Sequence, residues 1–252
     1  MRSRAAASAV LGVLAPTRSE LNAFVGEATA GLSVPEVGGA RRYRFDDVEV
    51  IGIVAGQGAR RSAANLQRTL ESGLIGELLV VGVAGGTLPG QAPGDLLVGD
   101  GAGPLFAHPT PADPGTVEAL IEALQAHGMP ARVGPLATVD EVARTDEKRR
   151  LGDAGFVGVD METHALLSGA RRAGIPAAGL RVVLDPLGRD IPRSVAALAA
   201  AQGGRLWPDI MGLVRWPVEV SATVRFMRDM GRALGTLRAV GKVTVQAVRE
   251  AS

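Results

Sequence analysis

Apolar positions along the chain come in short blocks of two kinds, separated by turns containing glycine and proline. Continuous apolar runs of four to eight residues read as buried strands, and apolar residues three and four apart read as helices. The first pattern predicts strands over 9–14, 48–55, 78–83, 95–98, 131–138, 156–160 and 177–184. The second predicts a helix opening near Ser19 (taken as its N-cap), one from about 59 to Leu74, one over 115–127, and one from the Met161-Glu162 turn to Ala173. Gly174 stops that last helix and Pro176 prevents its return. Residues 38–47 read as a polar connection, 101–114 as a proline-rich loop holding His108, and 139–150 as a charged stretch ending in a helix. Short strand–helix–strand crossovers join parallel strands, so the expected class is α/β.

The ends of the chain each carry two readings. Arg2 and Arg4 followed by an apolar run resemble a signal peptide. The reading adopted is a disordered start over 1–8 and a first strand from Ala9. After Pro192 the sequence is helical: Ser194–Ala201 is Ala-rich, Trp207-Pro208 and Trp216-Pro217 punctuate two segments, and a last helix carries Val220, Val224, Met227, Met230, Leu234 and Leu237 as an apolar stripe. Arg225, Arg228, Arg232 and Arg238 occupy its other faces. It reads as C-terminal helices over 194–252 packing on the sheet. The rival reading is a basic, Met-containing surface for peripheral membrane contact or for a lipid-tailed substrate. No run approaches the ~18 apolar residues of a membrane span.

Composition narrows the chemistry. A chain of 252 residues is an ordinary length for one α/β domain, here taken as 1–252. Lys+Arg 27 against Asp+Glu 26 gives no electrostatic case for a nucleic-acid partner. No Cys excludes disulfides and thiolate chemistry, and with three His no metal site is assigned.

Two acids fall at the carboxyl ends of predicted strands, Glu162 and Asp185, where open α/β sheets place ligands. The turn Gly56-Gln57-Gly58-Ala59-Arg60-Arg61 joins a strand to a helix N-terminus and so forms an anion cradle, with Arg60 or Arg61 as a charged partner. Many such turns merely pack.

Val-Asp-Met-Glu (159–162), a helix, then Leu-Arg-Val-Val-Leu-Asp (180–185) resembles the signature of the purine nucleoside phosphorylase and methylthioadenosine/adenosylhomocysteine nucleosidase superfamily. The run VGVAGGTLPGQAPGDLLVGD is similar to its Gly-Gly element and following strand. The stretch through Asp185-Pro186 and Arg189-Asp190-Ile191-Pro192 resembles the hopanoid-associated phosphorylase branch, which acts on adenosylhopane. The resemblance implies a three-layer αβα sandwich around a central mixed, mostly parallel sheet. It also implies a cytoplasmic homo-oligomer that splits a purine, and in the first instance adenine, nucleoside.

It assigns Asp185 as the general acid that protonates the departing base, and Glu162 as the group that grips the ribose hydroxyls beside the cationic centre, with Met161 on the sugar's apolar face. Ala84, Gly85 and Gly86 bring backbone to the substrate. Gly56, Gly58, Arg60 and Arg61 hold phosphate, the co-substrate, and no other cofactor is implied. Glu20 stands near where superfamily hydrolases carry a water-activating carboxylate; its other reading is a residue that favours a helix N-terminus. Phosphorolysis is the preferred expectation. Hydrolysis, with Glu20 as base, and a catalytically silent nucleoside-binding module are the alternatives. The last rests on two departures. Leu184 stands where relatives carry Ser before the acid, and no aromatic residue lies between Phe106 and Phe156 to stack on a base. Asp185 and Glu162 also have plain readings, as turn-former and helix cap, and Asp190 reads either as a substitute acid or as a surface residue beside Arg189.

Overall fold

The computed structural model describes residues 10–192, 195 and 220–251. The expected disordered start, and most of the predicted helical region from 194 to the Trp216-Pro217 pair, lie outside the described residues.

The sheet is built along β5 (Ile75–Gly86), whose Leu78, Leu79, Val80 and Val81 are completely buried. A strand covered on both faces reads as an unbroken apolar run, which is why Leu-Leu-Val-Val appears here without alternation. Each such side chain contributes about 1.5–3 kcal/mol of hydrophobic stabilisation. On one side β5 pairs in parallel with β1 (Val10–Ala15), which pairs in parallel with β4 (Val48–Val54). On the other it pairs in parallel with β10 (Ala177–Asp185), and its end pairs antiparallel with β9 (Gly158–Asp160). The circuit closes through β6 (Leu96–Gly103) and β8 (Ala131–Thr138): β10 pairs antiparallel with β6, β6 parallel with β8, and β8 parallel with β9. A two-residue β7 (Thr110–Pro111) lies on β6. The sheet is mixed, with parallel pairings running through its centre.

The polar connection expected over 38–47 is instead mostly a strand, β3 (Ala40–Phe45), which pairs antiparallel with β4 and with β2 (Thr29–Val34) at the margin of the sheet. Most of the hairpin is exposed: β2, the edge strand, exposes all but Val34, and β3 beside it carries Arg41, Arg42 and Arg44. Only a few side chains anchor it, among them Phe45, edge-on to Phe24 at 6.5 Å between ring centroids.

The helices form two groups. One contains α1 (Arg18–Phe24), α3 (Pro114–Ala126) and α6 (Val220–Ala251), with α6 packed against the other two and against β10. The other pairs α2 (Ala59–Glu71) with α5 (Thr163–Arg172), and α5 covers β6, β8 and β10. Helices, sheet and helices give the three layers. A short α4 (Thr145–Asp153) packs beside β9. The stripe expected on α6 is rotated in its first half. Thr223, Phe226, Ala233, Leu237 and Val240 are buried, whereas Val224 and Met227 are 54% and 43% exposed. No helix among the described residues is long and apolar enough to cross a membrane.

Candidate active site

At the carboxyl ends of β1, β5, β9 and β10 lies a cavity of about 510 Å³, within the range of small-molecule sites. Glu20, Ala84, Gly85, Met161, Glu162 and Asp185 all line it. The two acids at the strand ends therefore face one space rather than two.

Two backbone features aim them. Along β10 and β5, Val183 pairs with Ala84 and Asp185 pairs with Gly85, so Leu184 is an extra residue, a bulge. Bulges re-aim the side chains that follow them. Leu184 stays buried in the cavity wall. Glu162 sits at the N-cap of α5 but makes no capping bond with its side chain. Asp160 performs that duty, its Oδ1 accepting from the N–H groups of Glu162 (3.2 Å) and Thr163 (3.1 Å) and from the Thr138 hydroxyl (2.9 Å). Glu162 is thus freed, and its Oε1 accepts from the Gly58 N–H at 2.7 Å. The plain cap reading of Glu162 gives way to Asp160.

Glu20 is completely enclosed as well. The N-cap of α1 is Thr17, not Ser19, and Thr17 and Glu20 form a reciprocal capping box. Glu20 Oε2 accepts from the Thr17 hydroxyl at 2.5 Å and from the Thr17 N–H at 3.0 Å. Its Oε1 accepts from the Val83 N–H at 2.9 Å, which ties the helix start to the end of β5. The helix-terminus reading holds through the capping box, and the same carboxyl also lines the cavity.

One cation serves these acids. Arg181 on β10 is completely buried and pairs with Asp160 at 2.8 Å, and it donates to Thr163 Oγ1 at 2.7 Å and to the Val81 carbonyl at 3.3 Å. A Cβ on Gly82 would lie 2.3 Å from Arg181 Nη1 and 2.8 Å from Glu20 Oε1, so the absence of a side chain there lets acid and cation approach the strand. Three carboxyls around one guanidinium cannot all ionise cheaply. Glu162 is raised to about 8, by burial first and then by the charge of Asp160, against the opposing pull of Arg181. Burial also raises Glu20, opposed by its bonds to Thr17 and Val83 and by Arg181.

Asp185 has a cation of its own. Lys148 of α4 is completely buried and pairs with Asp185 Oδ2. It also donates to the carbonyls of Asp185 (2.8 Å) and Arg189 (3.2 Å). Burial raises Asp185 to about 6, the Lys148 ammonium holding it back from a larger rise. Leu184 offers Asp185 no side-chain hydrogen bond, and its charged partner comes from another element.

Residues 10–206 match the family model described as the Phosphorylase superfamily, which is most of the chain. The chain belongs to the phosphorylase superfamily. No curated protein matches it. Among solved structures it is similar to the Helicobacter pylori 5′-methylthioadenosine/S-adenosyl homocysteine nucleosidase, at TM-score 0.70 and 14% identity over 94% of this chain and 98% of that one. It is similar to H. pylori futalosine hydrolase at 0.70 and 15%, over 94% and 97%. It is also similar to uridine phosphorylase from Vibrio fischeri ES114 at 0.69 and 14%, over 95% and 91%. The chain is thus an enzyme of the phosphorylase superfamily.

The remaining expected residues of this superfamily member stand apart from the cavity wall. Gly86 packs against Gln91, whose Oε1 is 2.8 Å from where its Cβ would be. The Gly56 N–H donates to the Pro16 carbonyl at 3.1 Å, and that of Gly58 to Glu162, so both are already taken by protein acceptors. Arg60 and Arg61 are exposed at the start of α2, and only Gln57 of that turn lines the cavity. The cradle thus holds a carboxylate of the protein itself. Asp190 is outside the wall too, accepting from the Thr145 N–H and hydroxyl at 2.8 Å each, as a cap on α4. Sequence reasoning missed Arg181 and Lys148. A lone charge inside the run Leu-Arg-Val-Val-Leu was a signal, since a charge there needs a buried partner. Lys148, within a charged stretch, gave none.

Proposed function

We propose that the chain cleaves the N-glycosidic bond of a purine nucleoside, adenine being the first candidate base, and that water is the nucleophile. The observation that carries this reading is the shared cavity in which Glu20, Glu162 and Asp185 meet, with the glycine turn already engaged by Glu162. Asp185 delivers a proton to a ring nitrogen of the departing purine, and the electron pair of the C1′–N bond goes with the base. Glu162 accepts from the ribose hydroxyls. It holds a proton in the free site at neutral pH and releases it to solvent as the substrate enters, and the carboxylate so formed faces the positive charge growing at the anomeric carbon. Glu20, in its ionised form, takes a proton from the attacking water. Met161 packs on the sugar.

The printed names of two structural neighbours, a methylthioadenosine/adenosylhomocysteine nucleosidase and a futalosine hydrolase, support hydrolysis. The apolar part of the wall, Val142, Ile191, Val195 and Phe226, supports a substrate whose 5′ substituent is apolar, such as a hopane. Phosphorolysis is the second reading. It is favoured by the uridine phosphorylase neighbour and by the N-terminus of α2, which has no side-chain cap and follows cavity-lining Gln57. Adenine release from 5′-substituted adenosines, with and without phosphate, separates the two. Release independent of phosphate, with the 5-substituted ribose as product, supports water. Strict phosphate dependence with a 5-substituted ribose 1-phosphate product overturns it.

A further inference from the structure

Lys148 has three protons to donate and three acceptors around it, Asp185 Oδ2, the Asp185 carbonyl and the Arg189 carbonyl. None is left for a substrate, although the side chain forms part of the cavity wall. Its stem is held too, since a Cβ on Gly85 would stand 3.0 Å from Lys148 Cε. The loop it fastens is tethered on both sides, by Asp190 to Thr145 of α4 and by Arg189 to Asp229 of α6 at 3.2 Å. A charged group buried this completely, with every donor spent on the strand end and the loop that follows it, acts on the acid and not on the ligand.

We propose that Lys148 is the positioning residue of the acid: it commits Oδ2 of Asp185, leaves Oδ1 to meet the departing base, and stabilises the carboxylate that remains after the proton is given up. The step balances simply. The O–H bond of Asp185 breaks, an N–H bond forms on the leaving base, and the new carboxylate is left paired with an ammonium that was already in place. The role rests on the reaction proposed above, in which Asp185 is the acid. The charged groups that bear on the carboxyl are Lys148 from α4 and Asp190 from the following loop. Asp140, Glu141 and Arg144 line the same cavity between β8 and α4, as do Glu20, Asp160 and Glu162 elsewhere in its wall. The Arg189 guanidinium is drawn away to Asp229.

Lys148→Met removes the charge and keeps the unbranched stem. Steady-state cleavage of a 5′-substituted adenosine is expected to lose roughly tenfold or more in kcat, with KM within about twofold. The alkaline limb of kcat/KM is expected to move to higher pH, because an unpaired buried carboxyl holds its proton longer. Thermal melts give a readout that needs no turnover. Without its cation, Asp185 binds a proton in the folded state up to a higher pH, so the melting-temperature gap between wild type and Lys148→Met should widen as pH rises from about 6 to 8. In an Asp185→Asn background the same gap should be flat. An alkaline limb that stays in place, together with a gap independent of pH, would overturn the proposal and leave Lys148 as filling. If wild type releases no base from any nucleoside, the reaction reading falls, and the melts alone decide the clamp. Should the Met variant not fold, Lys148→Gln carries the same comparisons.

Discussion

Replacing Glu162 by Gln should make the folded chain more stable at neutral pH while it removes activity. The carboxyl is 4% exposed and is raised from the ordinary 4.5 to about 8. At pH 7 the side chain is therefore ionised in the unfolded chain and protonated in the folded one. Holding that proton across two and a half decades of proton activity, at ~1.4 kcal/mol each, costs about 3 kcal/mol. The sign follows from which state binds the extra proton. The folded state does, so stability falls as pH rises through 4.5 and levels off above about 8. Gln has no proton to hold, and its amide oxygen can still accept from the Gly58 N–H that lies 2.7 Å from Glu162 Oε1. The advantage of Glu162→Gln should grow from near zero at about pH 4.5 to about 3 kcal/mol at pH 7, or some 6–12 °C in melting temperature for a chain of this size. Urea denaturation of both proteins at several pH values measures it. An advantage that is the same at pH 5 and pH 7.5 would mean that Glu162 is already ionised in the folded state, and the account of three carboxyls around Arg181 would fail. Stabilisation with loss of function is the signature of a group kept in an unfavourable environment for its chemistry.

The other predictions are briefer. Asp185→Asn should lower kcat by about 10²–10⁴-fold with nucleoside binding by calorimetry retained, and unchanged turnover would remove the acid assignment. In wild type, kcat/KM should decline as pH rises past about 6, where Asp185 gives up its proton, and a flat profile from pH 5 to 9 would contradict that. Arg181→Met leaves Asp160 buried without its cation and should cost about 3–5 kcal/mol by chemical denaturation, with Asp160→Asn added in the same chain recovering part of the loss. Gly82→Ala should cost about 1–3 kcal/mol or more, since its Cβ would meet Arg181 and Glu20, and both are buried and bonded in place.

Much of this site was legible because its signals are local. A strand ending in Asp-Met-Glu, a helix stopped by Gly174, and a second strand ending in Asp185 can be read residue by residue, and backbone geometry then brings the ends together. The glycine turn at 56–58 shows the limit of such local signals. Its Gly58 N–H is met by the Glu162 carboxyl group, from more than a hundred positions along the chain, and its Gly56 N–H by the Pro16 carbonyl. Lys148 and Arg181 escaped because the worth of a buried cation depends on a partner that folding supplies, Asp185 in one case and Asp160 in the other. The β2–β3 hairpin escaped because exposed edge strands have little apolar pattern to show. On α6 the apolar residues run wider than the buried stripe, and packing against α1, α3 and β10 chose which of them to cover.

Gly85 pairs with Val159 on one side and with Asp185 on the other. A single backbone unit is therefore the common datum from which both reactive ends are measured. The gap between Glu162 and Asp185 is gauged by main-chain hydrogen bonds, which no side-chain exchange rewrites. On the proposed reaction, attacking nucleophile, leaving base and the substituent on the sugar can then change by replacing wall residues, while the ruler between the two carboxyls stays calibrated.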